Sequence, residues 1–164
     1  TLDLDGLVAA WPPEWHAEMA YGAGTSLRWS LRMANDAPGL SRELARLRSR
    51  QPELLQRAYA GAATTSAGPL IGPEAAQTLQ ENEAFLHLSP EALDVQAAGN
   101  LAEHFAWGAG FVAGKLFERG VAGEVESSVR QSRAVEATRY SASYASGWTA
   151  GVAETQAWHA RATK

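Results

Sequence analysis

No cysteine occurs in the 164 residues, which excludes disulfides and thiolate metal sites and leaves the redox compartment open. No apolar run reaches the ~18 residues needed to cross a bilayer. The best candidate, Phe105 to Leu116, is shorter and carries Lys115. The first residues lack the basic, apolar, small-residue order of a secretory signal. Thr1 in place of Met fits removal of something upstream. The expectation is a soluble, cytoplasmic chain. A net charge of −4 is small and of the wrong sign for coating nucleic acid or an anionic membrane. Catalytic signatures are also missing, with neither a Gly-x-Ser-x-Gly elbow nor a Ser-x-x-Lys pair. No cofactor is expected.

What is present reads as helix. Hydrophobic residues make up 46% and charged residues 20%, a balance that supports a packed core rather than disorder. The dipeptide Pro-Glu recurs at Pro13, Pro52, Pro73 and Pro90. Proline suits the first helical position, where its missing N–H would be unbonded anyway, and glutamate next to it faces the positive end of the helix dipole. Ser89 is placed to cap the helix that Pro90 begins. No alternation of β-branched residues competes. The chain is therefore expected to form a single all-α domain over 1–164, a bundle of five to six helices with a long C-terminal helical hairpin.

The expected helices are 13–35, 41–50, 52–63, 73–87, 90–119 and 122–162. Asn35 to Gly39 should end the first, and Ser41 should cap the second. Residues 61–72 read as the one long flexible connection, and Gly120 and Gly123 should separate the last two helices. A break near Ser141–Ser143 is the alternative to one continuous final helix.

Two echoes run through the sequence. Ala20-Tyr-Gly-Ala-Gly24 matches Ala106-Trp-Gly-Ala-Gly110, and Arg57-Ala-Tyr59 has a counterpart in Arg139-Tyr140. Gly110-Phe-Val-Ala-Gly114 also matches Gly147-Trp-Thr-Ala-Gly151. Either duplication of a helical hairpin or chance in an Ala- and Gly-rich chain accounts for them. The segment Gly108 to Lys115 has the outline of a phosphate-binding loop. It departs from that pattern at Ala109, where glycine is needed, and at Leu116, where magnesium requires Ser or Thr. The glycines are better read as steric notches, because small residues four apart let helix backbones approach. Aromatics gather beside them. Phe105, Trp107, Gly110, Gly114, Tyr140, Tyr144 and Trp148 form the candidate lining for an apolar or planar ligand, against the plainer expectation of core packing.

Other residues suggest other chemistry. Glu18, Glu103 and His104 are the candidate metal ligands, since the first echo places Glu18 and His104 at equivalent positions. The Glu-x-x-His pairs of a di-iron bundle are absent. His87, near a helix end, is explained by the dipole. Residues 28–57 carry a net +4 and residues 74–126 a net −7. Arg42, Arg46 and Arg50 form an i, i+4, i+8 stripe that could grip phosphates or pair with the acidic segment. The leading expectation is a non-enzymatic interaction or small-ligand-binding protein acting as a homodimer. A carboxylate/histidine metalloenzyme and a nucleic-acid accessory protein are the alternatives. The dimer rests on six tryptophans, on the opposed charges, and on a final helix that would span ~60 Å if continuous.

Overall fold

A computed structural model describes residues 2–33, 37–64, 73–86 and 101–163. Its helices are α1 (Leu4–Val8), α2 (His16–Met33), α3 (Ala37–Leu44), α4 (Pro52–Ala62), α5 (Pro73–Leu86), α6 (Leu101–Arg119), α7 (Ala122–Glu136) and α8 (Ser141–Ala162). A two-residue parallel pair, β1 (Leu2–Asp3) with β2 (Leu47–Arg48), and one 3-10 turn at Pro13–Trp15 complete the described elements. The all-α expectation holds. The principal contacts run α2 to α4, α4 to α6 and α6 to α8, while α5 and α7 pack on each other and against α6.

Pro52 and Pro73 open α4 and α5, and Pro13 opens the turn that leads into α2. Pro90, Ser89 and His87 lie outside the described residues. Gly120 takes φ +73°, the left-handed conformation that stops α6. Gly123 instead falls inside the first turn of α7.

The expected helix over 41–50 needs correction. α3 begins earlier, with Pro38 in its first turn, and stops at Leu44. Burial of Leu44 and Leu47 against the same core draws the chain inward. The Asp5 carboxylate then accepts from Ser49 Oγ at 2.6 Å and from the Arg50 amide at 2.9 Å, so residues 47–50 follow α1 rather than continue a helix. Tertiary contacts override local propensity here.

The last expected helix is two. Thr138 Oγ1 donates to the Val135 carbonyl at 2.7 Å and accepts from the Tyr140 amide at 3.2 Å. This local side-chain bonding substitutes for helix hydrogen bonds and closes a turn over 137–140. The central pair of the fold is therefore α6 with α8, with α7 as the connection between them, in place of the expected C-terminal hairpin.

Glycine decides how close these helices come. A methyl group built on Gly24 would overlap the Ala58 carbonyl, and one on Gly61 would overlap the Tyr21 carbonyl. Across α6 and α8, Gly110 meets the Tyr144 carbonyl, Gly147 meets that of Trp107, Gly114 that of Trp148, and Gly151 that of Phe111. The contacts in both pairs are reciprocal, and Gly110 with Tyr144 followed by Gly114 with Trp148 shows that α6 and α8 run parallel. Adding 86 to 21, 24, 58 and 61 gives 107, 110, 144 and 147, so the two pairs share one register. The downstream echo of Arg57–Tyr59 with Arg139–Tyr140 is out of this register, since residues 57–59 correspond to 143–145. The remaining echo, of 110–114 with 147–151, joins the two halves of one contact.

Polar groups tie the outer helices to these pairs. Buried Arg28 on α2 donates to the Ala62 carbonyl at 3.0 Å and to Asn82 Oδ1 at 3.2 Å, and it pairs with Glu81 at 2.7 Å. Asn82 Nδ2 donates to the Ala63 carbonyl at 2.7 Å, so two side chains satisfy the C-terminal carbonyls of α4. On α7, Gln131 donates to the Leu79 carbonyl and accepts from Tyr144 Oη at 3.0 Å.

Stability should follow the contacts at each glycine. Gly110→Ala and Gly147→Ala should each destabilise by about 1–3 kcal/mol through overpacking. Among the described residues, no atom outside their own helix turn lies within 4 Å of a methyl added at Gly22 or Gly123. Their Ala variants should gain about 0.5–1 kcal/mol from helix propensity. Urea unfolding of the four variants checks this, and equal stabilities across the set would refute it.

Candidate functional site

The seven residues proposed from sequence as a ligand lining are not gathered around one space. Gly110 and Gly114 are covered by the α8 backbone, and Phe105 is fully buried in the core. Trp107 stacks on Phe111 with ring centroids 5.2 Å apart. Tyr140 is buried, and its hydroxyl accepts from Arg139 at 2.7 Å. Tyr144 and Trp148 do line one cavity together. It is a half-open groove of about 510 Å³ between α7 and α8, lined also by Ser132, Glu136, Ser141, Ala142, Ala145 and Thr149. Tyr144 contributes its ring, because its hydroxyl points inward to Gln131. Burial raises the pKa of that hydroxyl, so it stays a neutral donor.

A charged cluster joins α4, α6 and α8. Glu154 pairs with Arg57 at 2.5 Å and with Lys115 at 3.0 Å. Both cations also sit over the Phe111 ring, 5.0 and 5.2 Å from its centroid. Burial alone would raise the Glu154 pKa. The charge of Lys115 and hydrogen bonds from Lys115 and Arg57 outweigh it, and the net shift is downward. Nearby Tyr21 is pushed up to about 12, chiefly by burial. One carboxylate pairs with both cations, so the cluster joins α4, α6 and α8.

Glu18, Glu103 and His104 do not form a metal centre. Among the described residues no group of three or more His, Asp or Glu is placed to hold an ion. Glu18 and Glu103 are exposed, and the His104 ring lies stacked on Tyr59 at 5.3 Å. Burial lowers the His104 pKa despite the nearby Glu103 charge, so the ring is held neutral. The arginine stripe is also lost as a helix face, because α3 ends before Arg46 and Arg50. Arg46 pairs with Glu43 at 2.5 Å instead. Attraction between the basic and acidic segments is met within the chain by Arg28 and Glu81.

The feature that sequence reading passed over is the outer face of α2. Gly22 and Trp29 are seven positions apart and share one side of α2, opposite Gly24 and its contact with α4, and Trp15 stands in the 3-10 turn just before that helix. Trp15 is 56% exposed and Trp29 50%, and the space over Gly22 is open. Trp11, 55% exposed, continues the apolar surface at the helix start. The sequence counts these tryptophans toward association, but their spacing alone does not separate an exposed face from a buried one.

No family model matches the chain, and no curated protein or solved structure matches it. Among the described residues no helix is long and apolar enough to cross a membrane.

Glu154 gives a test of the cluster. The pKa of its carboxylate is lower in the folded than in the unfolded chain. Its stabilisation is therefore complete above the unfolded carboxylate range and is lost as pH falls through the lowered folded value. Glu154→Gln should cost about 1–2 kcal/mol at pH 7, between the limits for surface and buried pairs. The deficit should shrink in strongly acidic solution, where the parent loses the same charge. A deficit independent of pH in urea unfolding would rule out this role.

Proposed function

We propose that the chain is a non-enzymatic interaction protein that works as an oligomer, with the tryptophan face of α2 as its contact surface. The observation that carries this reading is the pair of half-exposed tryptophans, Trp15 in the turn before α2 and Trp29 on it, with an open glycine between them. Tryptophan offers a large rigid contact area and is enriched where binding energy concentrates. A contiguous exposed apolar patch rimmed by polar side chains marks an interaction site more often than an isolated apolar residue does. Glu18, Ser26 and Ser30 supply that rim here.

A second reading, binding of an apolar or planar small ligand, draws support from the groove between α7 and α8. Tyr144 and Trp148 offer ring surface there, with Ser132, Ser141 and Thr149 as hydrogen-bonding groups. Both readings place the contact surfaces away from the glycine-packed interior.

The test is a double variant, Trp15→Ala with Trp29→Ala. Both side chains project from the fold, so the circular dichroism spectrum and the unfolding midpoint should match the parent. Proteins retained by the immobilised parent, including soluble copies of the chain itself, should be lost at least tenfold with the variant. Equal retention by both would overturn the proposal.

A further inference from the structure

The internal register says what should sit on the open face of α2. Within the chain, Gly108 of α6 lies on α4, where a built methyl would come within 2.7 Å of the Tyr59 carbonyl and 2.8 Å of the Ala60 amide nitrogen. In the register that relates the two glycine-paired units, Gly108 corresponds to Gly22, and Tyr59 and Ala60 correspond to Ala145 and Ser146. Gly22 faces open space, and Ala145 and Ser146 are exposed on α8. The first and last helices of the α2–α4–α6–α8 series thus carry the two unused halves of a junction made once inside the chain.

We infer that α2 of one copy docks on α8 of a second copy, Gly22 over Ala145 and Ser146, repeating the junction between α4 and α6. This rests on the reading of the α2 face as a contact surface and names its occupant. Three observations converge on a second copy rather than an unrelated helix. The α8 outer face is lined by Ala142, Ala145, Ser146, Thr149 and Ala153, all exposed and small, which suits close approach by a glycine-bearing helix. The contact between α4 and α6 is antiparallel, since His104 stacks on Tyr59 while Phe111 receives Arg57. The same direction carries Trp29 of the docked helix to the Ser141–Ala142 end of the groove beside α8. That groove, at about 510 Å³, has room for an indole. The two faces differ, so the contact is head-to-tail and each copy keeps one free face.

The absence of cysteine makes a clean experiment possible. Gly22→Cys and Ser146→Cys are prepared as separate single variants, mixed at tens of micromolar and oxidised. A mixed disulfide of about twice the 17.5 kDa chain mass is expected in the mixture, far exceeding either like-with-like product. Without oxidant, light scattering on the parent should give a mass above that of one chain. Gly22→Leu, whose Cβ meets no atom of the described residues within 4 Å, should weaken association at least tenfold with unchanged unfolding. Predominance of like-with-like disulfides would mean a two-fold contact and overturn the head-to-tail assignment. A single-chain mass with no cross-link would overturn self-association altogether. If the tryptophan variant still lost a different retained protein in that case, the α2 contact surface would stand with another occupant. If it lost nothing, both proposals would fall together.

Discussion

The close approach of paired helix backbones at reciprocal glycines is the constraint on which the rest of the structure depends. Helices separated by ordinary side chains keep their axes about 8–10 Å apart. At Gly24 and Gly61, and at Gly110, Gly114, Gly147 and Gly151, the facing group is a backbone carbonyl, so the helices come closer than that. Each mid-helix glycine gives up about 1 kcal/mol of helix propensity relative to alanine. Contacts of Cα–H with carbonyl oxygen, about 0.5–1 kcal/mol each, and dense backbone packing offset it. Two such pairs set the frame, and their shared register places α4 against α6 and leaves a face open on α2 and another on α8.

The remaining polar chemistry serves that frame. Arg28 and Asn82 cap the end of α4 and hold α5 beside it, while Gln131 couples α5, α7 and α8 through one amide. Glu154 links α4 to α6 and α8 from the other end of the pairs. A buried guanidinium is stable only with its hydrogen bonds in place, so these ties favour one arrangement of helices over near alternatives.

Much of this was readable from residues alone, and the failures have physical causes. Pro52 and Pro73 marked helix starts because proline chemistry is local. The glycine notches and the echo of 20–24 with 106–110 were visible because small-residue spacing is also local. The end of α3 was not, since burial of Leu47 and the reach of Asp5 to Ser49 and Arg50 are long-range. Thr138 gave a weak sign of the break before α8, lost in a segment without proline or glycine. Loss of that continuous helix removes the overhang that first suggested a dimer. The case for association moved to Trp15 and Trp29, whose exposure no periodicity could reveal. Glu18 and His104 occupy equivalent positions, as the echo implied, but equivalence in a repeat does not bring two side chains together.

A double-mutant cycle on the reciprocal glycines tests the central contact most directly. Gly24 and Gly61 face each other's helix across one interface, so a methyl on either forces the same separation of α2 from α4. Urea unfolding of Gly24→Ala, Gly61→Ala and the double variant should show a second substitution costing at least about 1 kcal/mol less than it does alone. Gly24→Ala with Gly110→Ala, one in each pair, should add within about 0.5 kcal/mol. Full additivity for Gly24 with Gly61 would contradict a shared backbone contact.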